Sequence, residues 1–177
     1  GYTDQSVELL GKHKPGGPFR GNKYSAYEAG TRVPTIVYWP GNILPKESDA
    51  LLTQTDLYAS IAELIGHQLL ENEAPDSYAM WKTFAGESKK GREFLLEESV
   101  TLSLRHGNYK YIHPSNKKAA WIKDQKNIES GVSIKPQLFD LSKDIGEREN
   151  IATGNTKMVK KMQAELERIM NNDVSRK

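Results

Sequence analysis

The sequence predicts an α/β fold in its first half and, in its second half, an α+β unit in which a terminal helix packs on an antiparallel sheet. Three patterns support this prediction. An apolar strand precedes an amphipathic helix before residue 90, strand-type alternation begins at residue 94, and a helical apolar periodicity lies near the end. The chain has 177 residues, of which 37% are hydrophobic, and this is enough to bury a core.

Turn-forming residues dominate the beginning of the chain. Residues 11–21 contain too much Gly and Pro for a helix or an ordinary strand, which predicts a long ordered loop of a kind that is often functional. Residues 34–39 then read Pro-Thr-Ile-Val-Tyr-Trp. This density of β-branched and aromatic side chains predicts a buried strand that ends at Pro40-Gly41.

Helical patterns follow the predicted strand. Residues 56–65 predict a one-sided amphipathic helix with an apolar face made of Leu57, Ile61, Leu64 and Ile65. A short helix is predicted near residues 78–85, and residues 86–91 predict a solvated turn. These few elements cannot easily close a core around so long a loop. We therefore expect residues 1–92 to form the edge of a larger α/β domain.

The remaining residues, 93–177, are predicted to form a second subdomain. Strands are expected at residues 94–100, 102–105 and 109–113, and the turn His106-Gly107-Asn108 joins the last two into a hairpin. Alternating apolar positions in these runs indicate an antiparallel sheet with one face toward the core.

A further strand and a long helix complete this subdomain. Residues 136–141 predict the strand, and residues 156–170 predict a helix whose buried face is formed by Val159, Met162, Leu166 and Ile169. The polar segment 117–135 is predicted to be a surface insertion, although Trp121 and Ile122 indicate that part of it packs.

Composition argues against several classes of function. The net charge of +2 does not favour a nucleic-acid partner, for which a clustered basic face is expected. No apolar run approaches the roughly 20 residues that span a bilayer, so no membrane partner is expected. The absence of cysteine excludes disulfides and thiolate nucleophiles, and the four histidines lack the spacing of a metal site.

A string of motifs in the first half resembles the sulfatase family of the alkaline-phosphatase superfamily. The family pattern is R-G-x-K, then Y-E-x-G-x-R-V-P, then an apolar strand and W-P-G. The matching residues are Arg20, Gly21, Lys23, Tyr27, Glu28, Gly30, Arg32, Val33, Pro34 and Trp39-Pro40-Gly41. Residues 104–111 and 137–150 resemble the hairpin and the turn that follow in the family, with Ile145 in place of the usual proline.

The resemblance implies an alkaline-phosphatase-like α/β domain, of which residues 1–92 would be the C-terminal edge, and an arylsulfatase, a sulfuric ester hydrolase, as the parent protein. Such enzymes use a formylglycine nucleophile, made within a C/S-x-P-x-R motif, and a divalent cation, usually calcium. The chain has no such motif. Asp4-Gln5 could be mistaken for a metal-binding pair, but only three residues precede it, so Asp4 is not expected to bind metal.

These omissions define what we expect of the chain by itself. It should be the C-terminal portion of a sulfatase, inactive alone, without a bound cofactor, with the N-terminal sulfatase portion as its partner and a sulfate ester as substrate. The resemblance implies a periplasmic or secreted parent, although the chain begins with neither a basic nor an apolar targeting region.

The resemblance also assigns the candidate site residues. Lys23 is expected to be catalytic and to bind the sulfate group as a positive charge. Arg20 either binds substrate or anchors the loop. His13 and His106 are candidate substrate contacts, His13 as a proton donor and His106 at a hairpin tip, although surface exposure is favoured for His13. Glu28 and Arg32 are predicted to form an ion pair that fixes the loop.

Two other functions remain open from the residues alone. The same scaffold could hydrolyse phosphoesters or phosphonates, because one fold hosts many reactions. The chain could instead be a non-catalytic module that binds sulfated glycans through Lys12, Lys14, Arg20 and Lys23.

Overall fold

Four helices and four strands make up the regular structure of residues 11–117 and 129–172, the parts of the chain that the computed structural model describes. In chain order they are α1 Glu28–Thr31, α2 Asp56–Leu64, α3 Trp81–Phe84, β1 Leu95–Glu98, β2 Leu102–His106, β3 Tyr109–Ile112, β4 Gln137–Asp140 and α4 Thr156–Asn172. None of the helices in these residues is long and apolar enough to cross a membrane.

The described residues fall into two compact units. The first unit combines the described parts of residues 1–34 and 96–166, so the motif-bearing loop packs with the antiparallel sheet. The second unit contains residues 35–95 and the end of α4. The division of the chain between residues 92 and 93 stays a prediction.

The four strands form one sheet in the order β1-β2-β3-β4. The predicted hairpin is confirmed, because β2 and β3 pair antiparallel with Leu104 opposite Tyr111 and Arg105 opposite Lys110. Strand β4 pairs antiparallel with the other edge of β3. The turn between β2 and β3 places Gly107 at a φ of 54°, a left-handed conformation that glycine adopts without a steric penalty.

Both faces of the hairpin contribute to the core of the first unit. Leu104, Tyr111, Ile112 and Leu138 are fully buried. Another part of this core brings Tyr27 from the loop against Phe139, with the two rings edge to face at 5.9 Å between centroids. The motif-bearing loop is therefore attached to the sheet by apolar packing as well as by polar contacts.

The terminal helix is confirmed together with its predicted buried face. Its four apolar residues are each at most 9% exposed: Val159, Met162, Leu166 and Ile169. The predicted packing of Trp121 and Ile122, like the predicted absence of metal at Asp4, falls outside the described residues.

The buried strand predicted for residues 34–39 is wrong. These residues have no regular secondary structure, and the side chains of Ile36 and Tyr38 are 89% and 85% exposed. A strand needs a neighbour to accept its backbone hydrogen bonds, and none of the four described strands pairs with this segment. Strand propensity alone could not supply that neighbour.

Helix α2 is confirmed, but its polar and small residues face inward. Buried Asp56 accepts hydrogen bonds from the Arg92 guanidinium and from the Tyr78 N–H, both at 2.9 Å. The N–H of Ala59 donates to the Ser77 hydroxyl at 2.8 Å. Because buried polar groups require partners, this network fixes the inward side of the helix. The apolar face is exposed at Leu57, Ile61, Leu64 and Ile65.

We expect Leu166→Ala to lower the free energy of unfolding by roughly 2 to 5 kcal/mol, as the loss of a fully buried leucine does. Chemical denaturation measures this change. Lys160→Ala is the matched control, because Lys160 is exposed on the same helix and should change stability by less than about 0.5 kcal/mol. Equal effects of the two substitutions would show that this face of α4 is not in the core.

Candidate active site

Lys23 lies in a tight turn that presents its side chain to solvent. The N–H of Ser25 closes the turn by donating to the Asn22 carbonyl at 2.9 Å. Gly21 has a φ of 80°, and a Cβ atom at this position would overlap the Ser25 side chain. Only glycine fits there. The exposed ammonium of Lys23 is 5.1 Å from the centre of the Tyr24 ring, within the range of a cation–π contact.

A recess of about 260 Å³ lies beside this turn. It is lined by Tyr24, Gly30, Glu98, Ser99 and Val100. Tyr24 has a φ of 75°, a conformation that is uncommon outside glycine. Its carbonyl accepts a hydrogen bond from the Ser99 hydroxyl at 2.7 Å, which fixes this strained part of the turn.

Other groups of the protein bind the Arg20 guanidinium. Its Nε atom pairs with the Glu129 carboxylate at 3.1 Å, and its Nη1 atom donates to the Glu147 carbonyl at 2.7 Å. The guanidinium also lies over the Tyr27 ring, 4.1 Å from the centroid. These contacts favour the alternative in which Arg20 anchors the loop. A contact between Arg20 and substrate stays a prediction.

A buried cluster of charges lies under the loop. The Glu28 carboxylate, which is 1% exposed, accepts from the Arg105 guanidinium at 2.8 Å and from the Lys110 ammonium at 3.0 Å. Lys110 is fully buried and also pairs with Glu97 at 2.8 Å. The predicted ion pair between Glu28 and Arg32 is present at 3.5 Å, on the half-exposed edge of this cluster.

The charged residues of the cluster change one another's pKa values. Burial alone would lower the pKa of Lys110, but the carboxylates of Glu97 and Glu28 raise that pKa above its usual value. Burial would likewise raise the pKa of Glu28, yet Lys110 and Arg105 lower it below its usual value. Both groups are therefore charged at neutral pH, and each compensates the other's loss of hydration.

Glu147 is a buried carboxylate whose charge the neighbouring cations compensate only in part. Burial raises its pKa from an ordinary value of 4.5 to about 7, against the opposing effects of Lys110 and of a hydrogen bond from the Glu28 N–H. That N–H donates to Oε2 at 2.8 Å, whereas Oε1 has no hydrogen-bond partner among the described residues. Uncharged and charged forms of Glu147 therefore both exist near neutral pH.

Sequence reasoning missed Arg105, Lys110, Glu97 and Glu147. A signal existed for two of them, because Arg105 and Lys110 occupy paired positions on adjacent strands and so point to the same face of the hairpin. Two facing cations on a mostly buried hairpin require a carboxylate partner. Nothing in the sequence shows that Glu28, 77 residues before Arg105, supplies it.

The two histidine candidates lie on other segments than the Lys23 turn. His13 is exposed on the preceding loop. His106 is at the end of β2, where its Nε2 atom is 2.8 Å from the Lys161 ammonium. Arg20 and Lys23 thus lie three residues apart on one loop, His13 lies on the loop before them and His106 lies on the sheet, and the roles of all four in binding stay predictions.

No group of three or more His, Cys, Asp or Glu side chains in the described part of the chain could hold a metal ion. The carboxylates of Glu28 and Glu97 are already paired with Arg105 and Lys110. The residues that the structure describes therefore do not fit a divalent cation.

The chain is similar to known proteins over most of its length. The Sulfatase family model matches residues 5–67. An N-acetylgalactosamine-6-O-sulfatase of Bacteroides thetaiotaomicron is 41% identical over 173 residues, which cover 96% of this chain and 33% of that protein. Arylsulfatase A of Homo sapiens is 29% identical over 166 residues, which cover 86% of this chain and 32% of the human protein.

A solved structure agrees with the sequence matches. It concerns the metabolism of multiple glycosaminoglycans by Bacteroides thetaiotaomicron, and it superimposes with a TM-score of 0.87 and 40% identity over 95% of this chain and 35% of the other. The chain belongs to the sulfatase family. It spans about a third of the length of the curated relatives that it matches.

We expect Glu147→Gln to stabilise the protein more at pH 8 than at pH 5. Between pH 4.5 and 7 the unfolded chain ionises Glu147 while the fold keeps it protonated, so wild-type stability falls with rising pH and the uncharged variant escapes this loss. The difference in unfolding free energy between variant and wild type should grow by roughly 2 to 3 kcal/mol. Urea unfolding at the two pH values measures it, and a constant difference would contradict the raised pKa.

Proposed function

We propose that this chain is the C-terminal portion of a sulfatase that hydrolyses sulfate esters, and that Lys23 binds the sulfate group. The observation that supports this most strongly is the exposed ammonium on a turn that is held on both sides, by the Arg20 side chain before Lys23 and by the Tyr24 carbonyl after it. The turn carries the motif that sulfatases share. An exposed lysine on a mobile surface loop would lack this support.

The chemistry of sulfate transfer explains the use of lysine. Negative charge moves between the sulfate oxygens and the leaving oxygen as the ester bond breaks, so a fixed positive charge stabilises the transition state. A lysine ammonium offers three donors on a compact cation and needs no proton transfer to act. In this proposal Arg20 holds the loop, because its guanidinium is already bound by Glu129 and Glu147.

The nucleophile and the metal belong to the preceding portion of the parent in this proposal. The sequence contains no C/S-x-P-x-R motif, and the described residues offer no site that fits a divalent cation. Formylglycine and calcium, which the resemblance implies, would be supplied by the N-terminal portion. Lys23 would complete the site from this chain.

Exposed apolar side chains support the N-terminal portion as partner. In the second unit Ile36, Tyr38, Leu44 and Ile65 are each at least 71% exposed. Large exposed apolar side chains in such number usually mark a surface that another polypeptide covers. Because the chain spans only a third of its relatives' length, the remaining two thirds of the parent is the occupant that we propose.

We propose an amino-sugar 6-sulfate as the substrate class. The support is the 41% identity with a protein named N-acetylgalactosamine-6-O-sulfatase over 96% of this chain. The recess beside Lys23 offers a carboxylate, Glu98, and a hydroxyl, Ser99, as partners for sugar hydroxyls. N-Acetylgalactosamine 6-sulfate and 4-sulfate, assayed side by side with the parent, test the position of the ester. Preference for the 4-sulfate would contradict the proposal.

We propose a periplasmic or secreted location for the parent, on the resemblance to the family. Sulfated glycans are extracellular polymers too large to cross a membrane unaided, which agrees with this location. Cell fractionation followed by detection of the parent tests it, and recovery in the cytoplasm would contradict it.

Paired aryl sulfate and aryl phosphate substrates separate the proposal from its alternatives. We expect the full-length parent to turn over the sulfate faster. A faster phosphate reaction would support a phosphoester hydrolase. Binding of a sulfated glycan without turnover of either ester, surviving Lys23→Ala and weakening evenly with salt, would support a binding module.

We expect the purified 177-residue chain to show no aryl sulfatase activity and no tight calcium binding. The reason is that the nucleophile and the metal ligands lie outside it in this proposal. Isothermal titration with calcium and a sulfate-release assay measure the two properties, with the full-length parent as positive control. Turnover by the chain alone would overturn the assignment.

In the full-length parent we expect Lys23→Ala to lower kcat by about 10²- to 10³-fold, the usual cost of removing a preorganised donor. Thermal unfolding should change little, because Lys23 is exposed. Lys14→Ala is the matched control, since Lys14 is an exposed lysine on the same loop, and its kcat should stay within about twofold of wild type.

The opposite pattern would identify Lys23 as part of the scaffold. In that case kcat would stay within about threefold of wild type while the unfolding temperature fell. Equal losses of activity in both lysine variants would instead indicate a diffuse electrostatic effect of the loop.

A further inference from the structure

Glu147 contacts both ends of the segment that carries Lys23. Its backbone carbonyl accepts a hydrogen bond from Arg20 Nη1 at 2.7 Å, before Lys23 in the chain. Its carboxylate Oε2 accepts from the backbone N–H of Glu28 at 2.8 Å, after Lys23. One residue from a distant part of the chain thus fixes the two flanks of the turn.

Glu147 is itself held in an unusual conformation. It is fully buried and has a φ of 51°, in the left-handed region that residues other than glycine seldom adopt. Its N–H donates to the Asp144 carbonyl at 3.1 Å, and that contact closes the turn on which it lies. Such a conformation persists only where surrounding contacts determine it, and it is found often at functional sites.

Strands of the sheet hold Glu28 as well. Glu28, which Glu147 holds through its N–H, has its own carboxylate fixed by Arg105 and Lys110 of the hairpin. The contact between Glu147 and Glu28 is therefore linked to strands β2 and β3.

The position of the Lys23 ammonium depends on the backbone of the turn that carries it. Its side chain is exposed, and no carboxylate within the described residues pairs with it. The ring of Tyr24, its neighbour in the same turn, is the group that it contacts. A shift of the turn would therefore move the ammonium directly.

We propose that Glu147 is a positioning residue, which clamps the Arg20–Glu28 segment so that Lys23 meets the sulfate group in a fixed place. This inference rests on the proposed function, because it assumes that Lys23 binds sulfate. Displacement of a reacting group by about 1 Å can cost on the order of 10²-fold in rate, so a clamp of this kind has a measurable effect.

A double-mutant cycle on the full-length parent tests the proposal. Glu147→Ala removes the acceptor for the Glu28 N–H, and we expect kcat on a sulfate ester to fall by about 10- to 100-fold. In the Lys23→Ala background the same substitution should change kcat by less than about threefold, because the group that it positions is already absent.

Two further variants separate positioning from general damage. Glu147→Gln keeps an acceptor for the Glu28 N–H and should recover kcat to within about threefold of wild type. Glu149→Ala, at an exposed glutamate two residues along, is the matched control and should leave kcat unchanged. If Glu147→Ala does not fold, Glu147→Asp replaces it in the cycle, since the shorter side chain withdraws the acceptor with less loss of packing.

The outcomes distinguish this inference from the proposed function. Equal losses from Glu147→Ala in the wild-type and Lys23→Ala backgrounds, or full activity of Glu147→Ala, would overturn the clamp and leave the sulfatase assignment intact. Full activity of Lys23→Ala would overturn the role of Lys23 and the clamp with it. Loss of activity in both single variants without further loss in the double variant would support the inference.

Discussion

The buried ion pairs of Glu28 with Lys110 and Arg105 are the constraint on which the first unit depends. Moving these charges out of water is costly, and close geometry offsets that cost only when every partner is present. The hairpin register, which places Arg105 opposite Lys110, and the start of α1, which carries Glu28, must therefore form together. A loop with little regular structure gains a defined position in this way.

The same constraint connects the interior to the exposed turn. Glu28 is bound through its side chain by the sheet and through its N–H by Glu147, while the Glu147 carbonyl holds Arg20. Lys23 lies between these two anchors. The buried charges thus order a backbone segment on which the Lys23 side chain is exposed. Within one motif, Arg20 and Glu28 are held in place by other residues, whereas Lys23 is exposed.

Local periodicity predicted the hairpin, strand β4 and helix α4, because each buries its apolar face within the described chain. It failed at residues 34–39, where apolar side chains are exposed, since a pattern cannot show which surface will cover it. For the site, the motif indicated Lys23, Arg20 and the Glu28–Arg32 pair. Lys110, separated from Glu28 by 82 residues, could not be assigned, because such long-range partners leave no local signal.

We propose that the ordered turn presents Lys23 to a sulfate group, and a crystal structure of the full-length parent with bound inorganic sulfate tests this role. We expect the Lys23 ammonium within about 3 Å of a sulfate oxygen, the distance of a charge-assisted hydrogen bond, with Arg20 still bound to Glu147. A sulfate held by other cations, with Lys23 directed into solvent, would contradict it.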